Sequence, residues 1–179
     1  MNTSNPFPSA APDFSDPLGL LRACHERIFR HCDTLEKLPT HIAEKGADRE
    51  FREAVAKIHR YFTTAAKHHH ADEERDLFPL LVRRSLDMAD TIDRLKQEHE
   101  HLDALWKDLE PLLAKPSTIK DPPTLETPAR HFAEANRNHA QKENEEILDV
   151  VRHLFSNEDI KKLGRSMAER RGVSLPSNF

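Results

Sequence analysis

Two short patterns in the chain have the residue types and spacing to do chemistry: His69-x-x-x-Glu73 and His139-x-x-x-Glu143. On a helix, residues four apart stand one above the other, about 6 Å apart along the axis. An imidazole and a carboxylate so placed can share one ion, or the carboxylate can reach a second. His25 and His99 each fall on the apolar stripe of a different segment. One such pair on a charged helix is usually solvated, and one inward histidine is usually a hydrogen-bonded core residue. Two pairs with two inward histidines are a different case. Converging buried carboxylates need positive charge to compensate them, and a pair of metal ions supplies it.

Those residues must be carried by helices. Proline punctuation leaves long stretches nearly free of breakers. A first helix is expected from Asp16, an N-cap with Pro17 behind it, to Lys37, ahead of Pro39. A second begins near Asp48, carries Phe51, Val55, Ile58 and Phe62, runs to Leu77 and kinks at Pro79 before ending near Arg84. The third covers Leu86 to Leu113 and the fourth Thr124 to Phe155. A short fifth helix follows Ser156 and stops at Gly172. The pattern predicts an all-α protein, an antiparallel up-down four-helix bundle over residues 17–155. Residues 1–16 read as a flexible leader, and 156–179 as a short C-terminal helix and tail.

Composition narrows the function. The 179 residues include twelve histidines, about three times ordinary usage. Lys+Arg 27 against Asp+Glu 31 gives a net charge of −4, which lacks the electrostatic footprint of a general nucleic-acid binder. No apolar run approaches the ~20 residues of a membrane span, and no signal peptide is evident. Four glycines, one Tyr and one Trp argue against a sheet protein. Cys24 and Cys32 are too few for a disulfide framework or a thiolate metal site, so a reducing cytoplasm is the expected home.

The order His25, His69-His70-x-x-Glu73, His99, His139-x-x-x-Glu143 resembles the hemerythrin family, in particular bacterial proteins with the HHE cation-binding domain. The resemblance is carried by His25-Glu26-Arg27-Ile28, HHHADEERDLFPLL (68–81), QEHEHLDAL (97–105) and HAQKENEEIL (139–148), and extends to the tail SNEDIKKLGRSMAERRG (156–172). It implies a non-haem di-iron centre, oxo- or hydroxo-bridged, inside an up-down bundle. His25 and His69 would be terminal ligands of one iron, His99 and His139 of the other, with Glu73 and Glu143 bridging. The chain departs from the O2-carrying members, which have a second helix-C histidine where Leu95 stands and an Asp one position beyond Glu143. His70 is the candidate to replace the lost ligand, pointing about 100° away from His69 on the helix. Manganese or zinc also suits such donors. His131, two turns before His139, is expected to orient a ligand from outside. Arg83-Arg84 and Glu169-Arg170-Arg171 read as solvated helix ends.

The function this implies is binding or sensing of O2, peroxide or nitric oxide, rather than catalysis. A peroxide-consuming, catalase-like enzyme or a role in iron handling is the alternative. A resemblance to iron–sulfur-cluster repair relatives is weakened because the leader is too short for their cysteine-bearing domain. A structural zinc bundle is the fourth reading. Oligomeric state is not legible in the sequence.

Overall fold

The computed structural model describes residues 12–116, 119 and 122–176. The expected flexible leader lies outside the described residues as far as residue 11, and so do residues 177–179 of the tail. The described residues form helices and connections, with no strand among them. They comprise α1 (Pro17–Lys45), α2 (Arg49–Thr63), α3 (Ala65–Asp72), α4 (Phe78–Arg84), α5 (Ala89–Ala114), α6 (Pro122–Lys142), α7 (Asp149–Leu154) and α8 (Asn157–Arg170). None is long and apolar enough to cross a membrane.

Helices α2, α3 and α4 follow one another as a single rod, and so do α6 and α7. Each rod contains a widened π turn, Glu73–Leu77 in the first and Glu143–Leu148 in the second. Cross-helix pairs fix the directions. Arg22 meets Asp149 at 2.6 Å while Arg137, further back on its rod, meets Asp33 at 2.7 Å further along α1. His59 meets Glu110 and Glu74 meets His99, while Glu146 meets Arg94 and His139 meets Glu98. His31 lies on Tyr61 and His25 on His69. Each of these neighbouring pairs is antiparallel, and the whole is a helical bundle.

Its core is in two parts. One cluster includes Ile28, Leu35, Val55, Phe62, Leu109 and Phe132, and the other Leu21, Leu77, Phe78, Leu95, Ile147 and Met167. The four rods each pass from one cluster to the other through a polar layer: His25 on α1, His69 and Glu73, His99 on α5, and His139 and Glu143.

The helices depart from those read in the sequence chiefly at three places. Helix α1 continues through Pro39 to Lys45, because Leu35, Leu38 and Ile42 all remain in the core and hold the stripe together. It ends at Gly46, whose φ of 72° suits glycine. The rod of α2 to α4 bends at Thr64, where the Thr63 and Thr64 hydroxyls each donate at 2.7 Å, to the carbonyls of His59 and Arg60. Such back-bonding bends a helix. Finally, the disturbance ahead of Pro79 is the π turn at 73–77 rather than a simple kink.

Helix α8 is pinned across the bundle. It starts with a capping box, in which Ser156 and Asp159 satisfy each other's backbone N–H. Asp159 also accepts from Arg84 at 2.7 Å. At its far end, Arg170 and Arg171 both donate to Asp72, which is fully buried beside Glu73, and Arg170 reaches Asp76 as well. These arginines are therefore not solvated helix ends. They neutralise a carboxylate that would otherwise be an unpaired buried charge.

Replacing both Arg170 and Arg171 by Ala should lower stability by about 3 kcal/mol, read from the urea unfolding midpoint. Arg84, then the Ser156 bonds, hold the Asp159 carboxyl down at about 2 against an ordinary 3.8. A depressed carboxyl contributes stability above its unfolded pKa and loses it as pH falls through the folded one. Asp159→Asn should therefore flatten the fall in melting temperature between about pH 4 and pH 2.

Candidate metal centre

The polar layer brings together the seven residues picked out in the sequence. His25, His69, Glu73, His99, His139 and Glu143 are no more than 3% exposed, while His70 is half-buried. Their donor atoms fall into two groups. His25, His69, Glu73 and Glu143 form one, and His70, His99 and His139 the other.

The two carboxylates link the groups. Glu73 turns Oε1 to His69 Nε2 at 3.3 Å and to His25 Nε2 at 3.8 Å, and Oε2 to His99 Nε2 at 3.6 Å. Glu143 turns Oε2 to His25 Nε2 at 3.2 Å and His139 Nε2 at 3.3 Å, and Oε1 to His99 Nε2 at 3.7 Å. Donors bound to one ion at about 2.1 Å lie roughly 3.0–3.4 Å apart; the three shorter spacings, 3.2 to 3.3 Å, fall in that range, and the other three, 3.6 to 3.8 Å, are somewhat wider. The donor atoms are close but poorly aligned for bonding one another. Eight of the nine buried side-chain nitrogens and oxygens without a hydrogen-bond partner among the described residues belong to this layer, seven of them the Nε2 and carboxylate atoms aimed inward. Native interiors rarely leave such atoms unsatisfied. The donor set fits metal ions.

Electrostatics say the same. Burial disfavours charge on His25, but Glu143 and Glu73 outweigh it and push the imidazole up to about 10. His99 is raised to about 9 in the same way, chiefly by Glu143. Burial, then His25, hold His69 well below the ordinary value, and burial with His99 beside it takes His70 down to about 3. Glu73 rises to about 7 through burial and the facing Glu143, while Glu143 is held low by His139, His25 and His99 against the burial that opposes it. Without a cation the layer can only balance its charge with protons.

The Hemerythrin HHE cation binding domain, as a family, matches residues 16–151. The chain belongs to that family. An uncharacterised protein of Haemophilus influenzae is 30% identical over 170 residues, covering 93% of this chain and 96% of its own. The protein thus carries a metal-cation-binding domain, and its His/Glu clusters are able to hold the metal.

In this hemerythrin-family chain both π turns begin at the glutamate of an H-x-x-x-E pattern. Each inserts one residue, and two consecutive residues at its C-terminal end reach the core: Leu77-Phe78 and Ile147-Leu148. Leu95 is wholly buried in the apolar cluster on one side of the layer, and Phe78 lies over His99 from there, ring centroids 6.0 Å apart. His70 approaches His99 from the other side, near Leu102 and Trp106, its ring parallel at 4.0 Å. It does not take the space of the Leu95 side chain.

The outward ring nitrogens reveal partners that sequence reasoning missed. His25 Nδ1 meets Asn144 at 2.9 Å, His99 Nδ1 meets Glu74 at 2.7 Å, and His139 Nδ1 meets Glu98 at 3.0 Å. Lys142 holds Glu98 at 2.5 Å. Glu74 and Asn144 each directly follow a core glutamate, and that adjacency was the signal available. His131, expected in this role, is exposed. The π turns and the i,i+4 pairs aim its neighbours, but not His131, at the layer.

Stripping metal with a chelator should lower the melting temperature by several degrees, about 5 °C or more, because only the folded chain assembles the donors. Glu143→Ala should abolish that metal-dependent difference in a thermal scan.

Proposed function

We propose that the protein is a non-haem di-iron protein that binds or senses O2 or a related small oxidant, peroxide or nitric oxide. His25 and His69 are the terminal ligands of one ion, His99, His139 and His70 those of the other, and Glu73 and Glu143 bridge the two. The observation that carries this reading is the division of the donors into two groups, with each buried carboxylate facing both. Mixed imidazole and carboxylate donors without thiolate suit iron, and suit manganese or zinc as well. The iron pair would supply electrons and an open position for a diatomic ligand.

The chain's own residues do the rest. Glu73 and Glu143 hold the ions together and offset their charge. The two apolar clusters flank the layer on both sides. An apolar pocket beside His70, lined by Phe62, Ala66, Leu102, Trp106 and Phe132, gives a small uncharged ligand a place to approach. Lys67, Asp103 and Asn136 border the same pocket. Of these, Lys67 and Asp103 are ionisable and favour the second reading, peroxide consumption, in which a proton must be delivered near the ions. Free, buried Cys24 and Cys32 suit a reducing cytoplasm.

Protein made in iron-supplied medium should hold about two irons per chain, with near-ultraviolet bands in air that respond to azide. The bands should vanish and the iron content fall below two per chain in His69→Ala and Glu143→Ala. Zinc alone, or no metal and no colour after anaerobic iron loading, would reduce the layer to a structural role. Peroxide turnover above that of free iron, lost in Glu73→Ala, would favour the enzyme.

A further inference from the structure

The two halves of the polar layer differ in what stands behind the imidazoles. His99 and His139 each direct Nδ1 to a carboxylate, Glu74 and Glu98. His25 directs Nδ1 to the neutral amide oxygen of Asn144, and His69 Nδ1 is buried with no hydrogen-bond partner among the described residues. All four rings point Nε2 at the shared carboxylates, so Nδ1 is the protonated, outward-donating nitrogen wherever an acceptor faces it.

An anionic acceptor draws that proton outward and gives the ring more imidazolate character. The inward nitrogen then becomes a stronger donor to a cation. A neutral amide does so far less, and an absent acceptor not at all. The number of rings points the same way: three imidazoles gather at His99, His139 and His70, against two at His25 and His69. Glu73 and Glu143 face both groups, so they do not cancel the difference.

We propose that the two metal positions are inequivalent: the position at His99 and His139 binds its ion more tightly and fills first, because Glu74 and Glu98 act as positioning and tuning residues behind its ligands. The position at His25 and His69 fills second and empties first. This inference rests on the two-metal reading above. Its consequence is a protein with a resident ion and an exchangeable one, whose response to metal supply is read at the His25 side.

The full chain, stripped of metal, is titrated without air by cobalt(II), followed by calorimetry and visible absorption. Two binding steps separated by at least about tenfold are expected. His139→Ala should remove the tighter step and His25→Ala the weaker. Glu98→Gln and Glu74→Gln keep the side-chain shape and remove the charge. Each should weaken the tighter step by about 10–100-fold and leave the weaker step and the far-ultraviolet circular dichroism unchanged. Asn144→Asp, which adds the missing charge behind His25, should strengthen the weaker step by about tenfold and narrow the gap. Two ions bound in equal steps would overturn this inference alone. So would a loss spread evenly over both steps in Glu98→Gln and Glu74→Gln, with no gain in Asn144→Asp. One ion per chain in the unsubstituted protein would overturn the two-metal reading and this inference with it.

Discussion

Two carboxylates held face to face in a buried layer set the terms for the rest of this molecule. Glu73 and Glu143 are each 1% exposed and look at one another across a ring of imidazoles. A buried carboxylate without compensation is far more costly than any single packing contact can offset. In the absence of metal the layer holds itself together by protonating His25 and His99 and by raising Glu73. That compromise leaves most of the inward-facing atoms without a hydrogen bond. A cation is the better solution, so folding and metal binding are thermodynamically linked here.

The layer divides the hydrophobic core in two, and the helices accommodate the division locally. A regular α-helix puts His69 above Glu73 and His139 above Glu143, and the same regular twist would carry the following apolar residues away from their places. The π turn that opens at each glutamate adds one residue and resets the register, so that Phe78 and Leu148 pack alongside Leu77 and Ile147. Such insertions in helices are frequent at functional sites because they re-aim side chains without ending the helix. Helix α8 then braces the first of these turns. Its Arg170 and Arg171 close on Asp72, the residue immediately before Glu73, and Arg170 on Asp76 within the turn.

Much of this was legible in the residue pattern, and what was not has a physical cause. The rods, the inward histidines and the H-x-x-x-E pairs follow from a 3.6-residue period, which the sequence displays directly. The end of α1 was misplaced because Pro39 reads as a stop, whereas Leu38 and Ile42 keep enough apolar surface buried to carry the helix through it. The π turns leave no mark in periodicity until the residues beyond them are known to be buried. Arg170 and Arg171 look like solvent-facing charges on their own helix. Their partner, Asp72, is nearly a hundred residues away in sequence, and no local pattern announces such a contact. Glu98 was hidden for the same reason, since a surface glutamate and a histidine-directed glutamate are the same letter, and Glu74 was marked only by its place directly after Glu73.

Leu95 and His70 stand on opposite sides of the polar layer. A histidine in place of Leu95 would approach His99 from the side of Phe78 and Ile147, on which apolar packing is now continuous. With leucine in place, that side of the layer is sealed. His70 stacks on His99 from the opposite side, where it is half-exposed and borders the apolar pocket beneath Trp106. The pocket and the additional imidazole therefore lie on the same flank of the layer. Any ligand arriving through that pocket meets His70 before it meets the ring of His99 or His139. His70, half-buried, borders that pocket, while the six fully buried donors lie deeper in the layer.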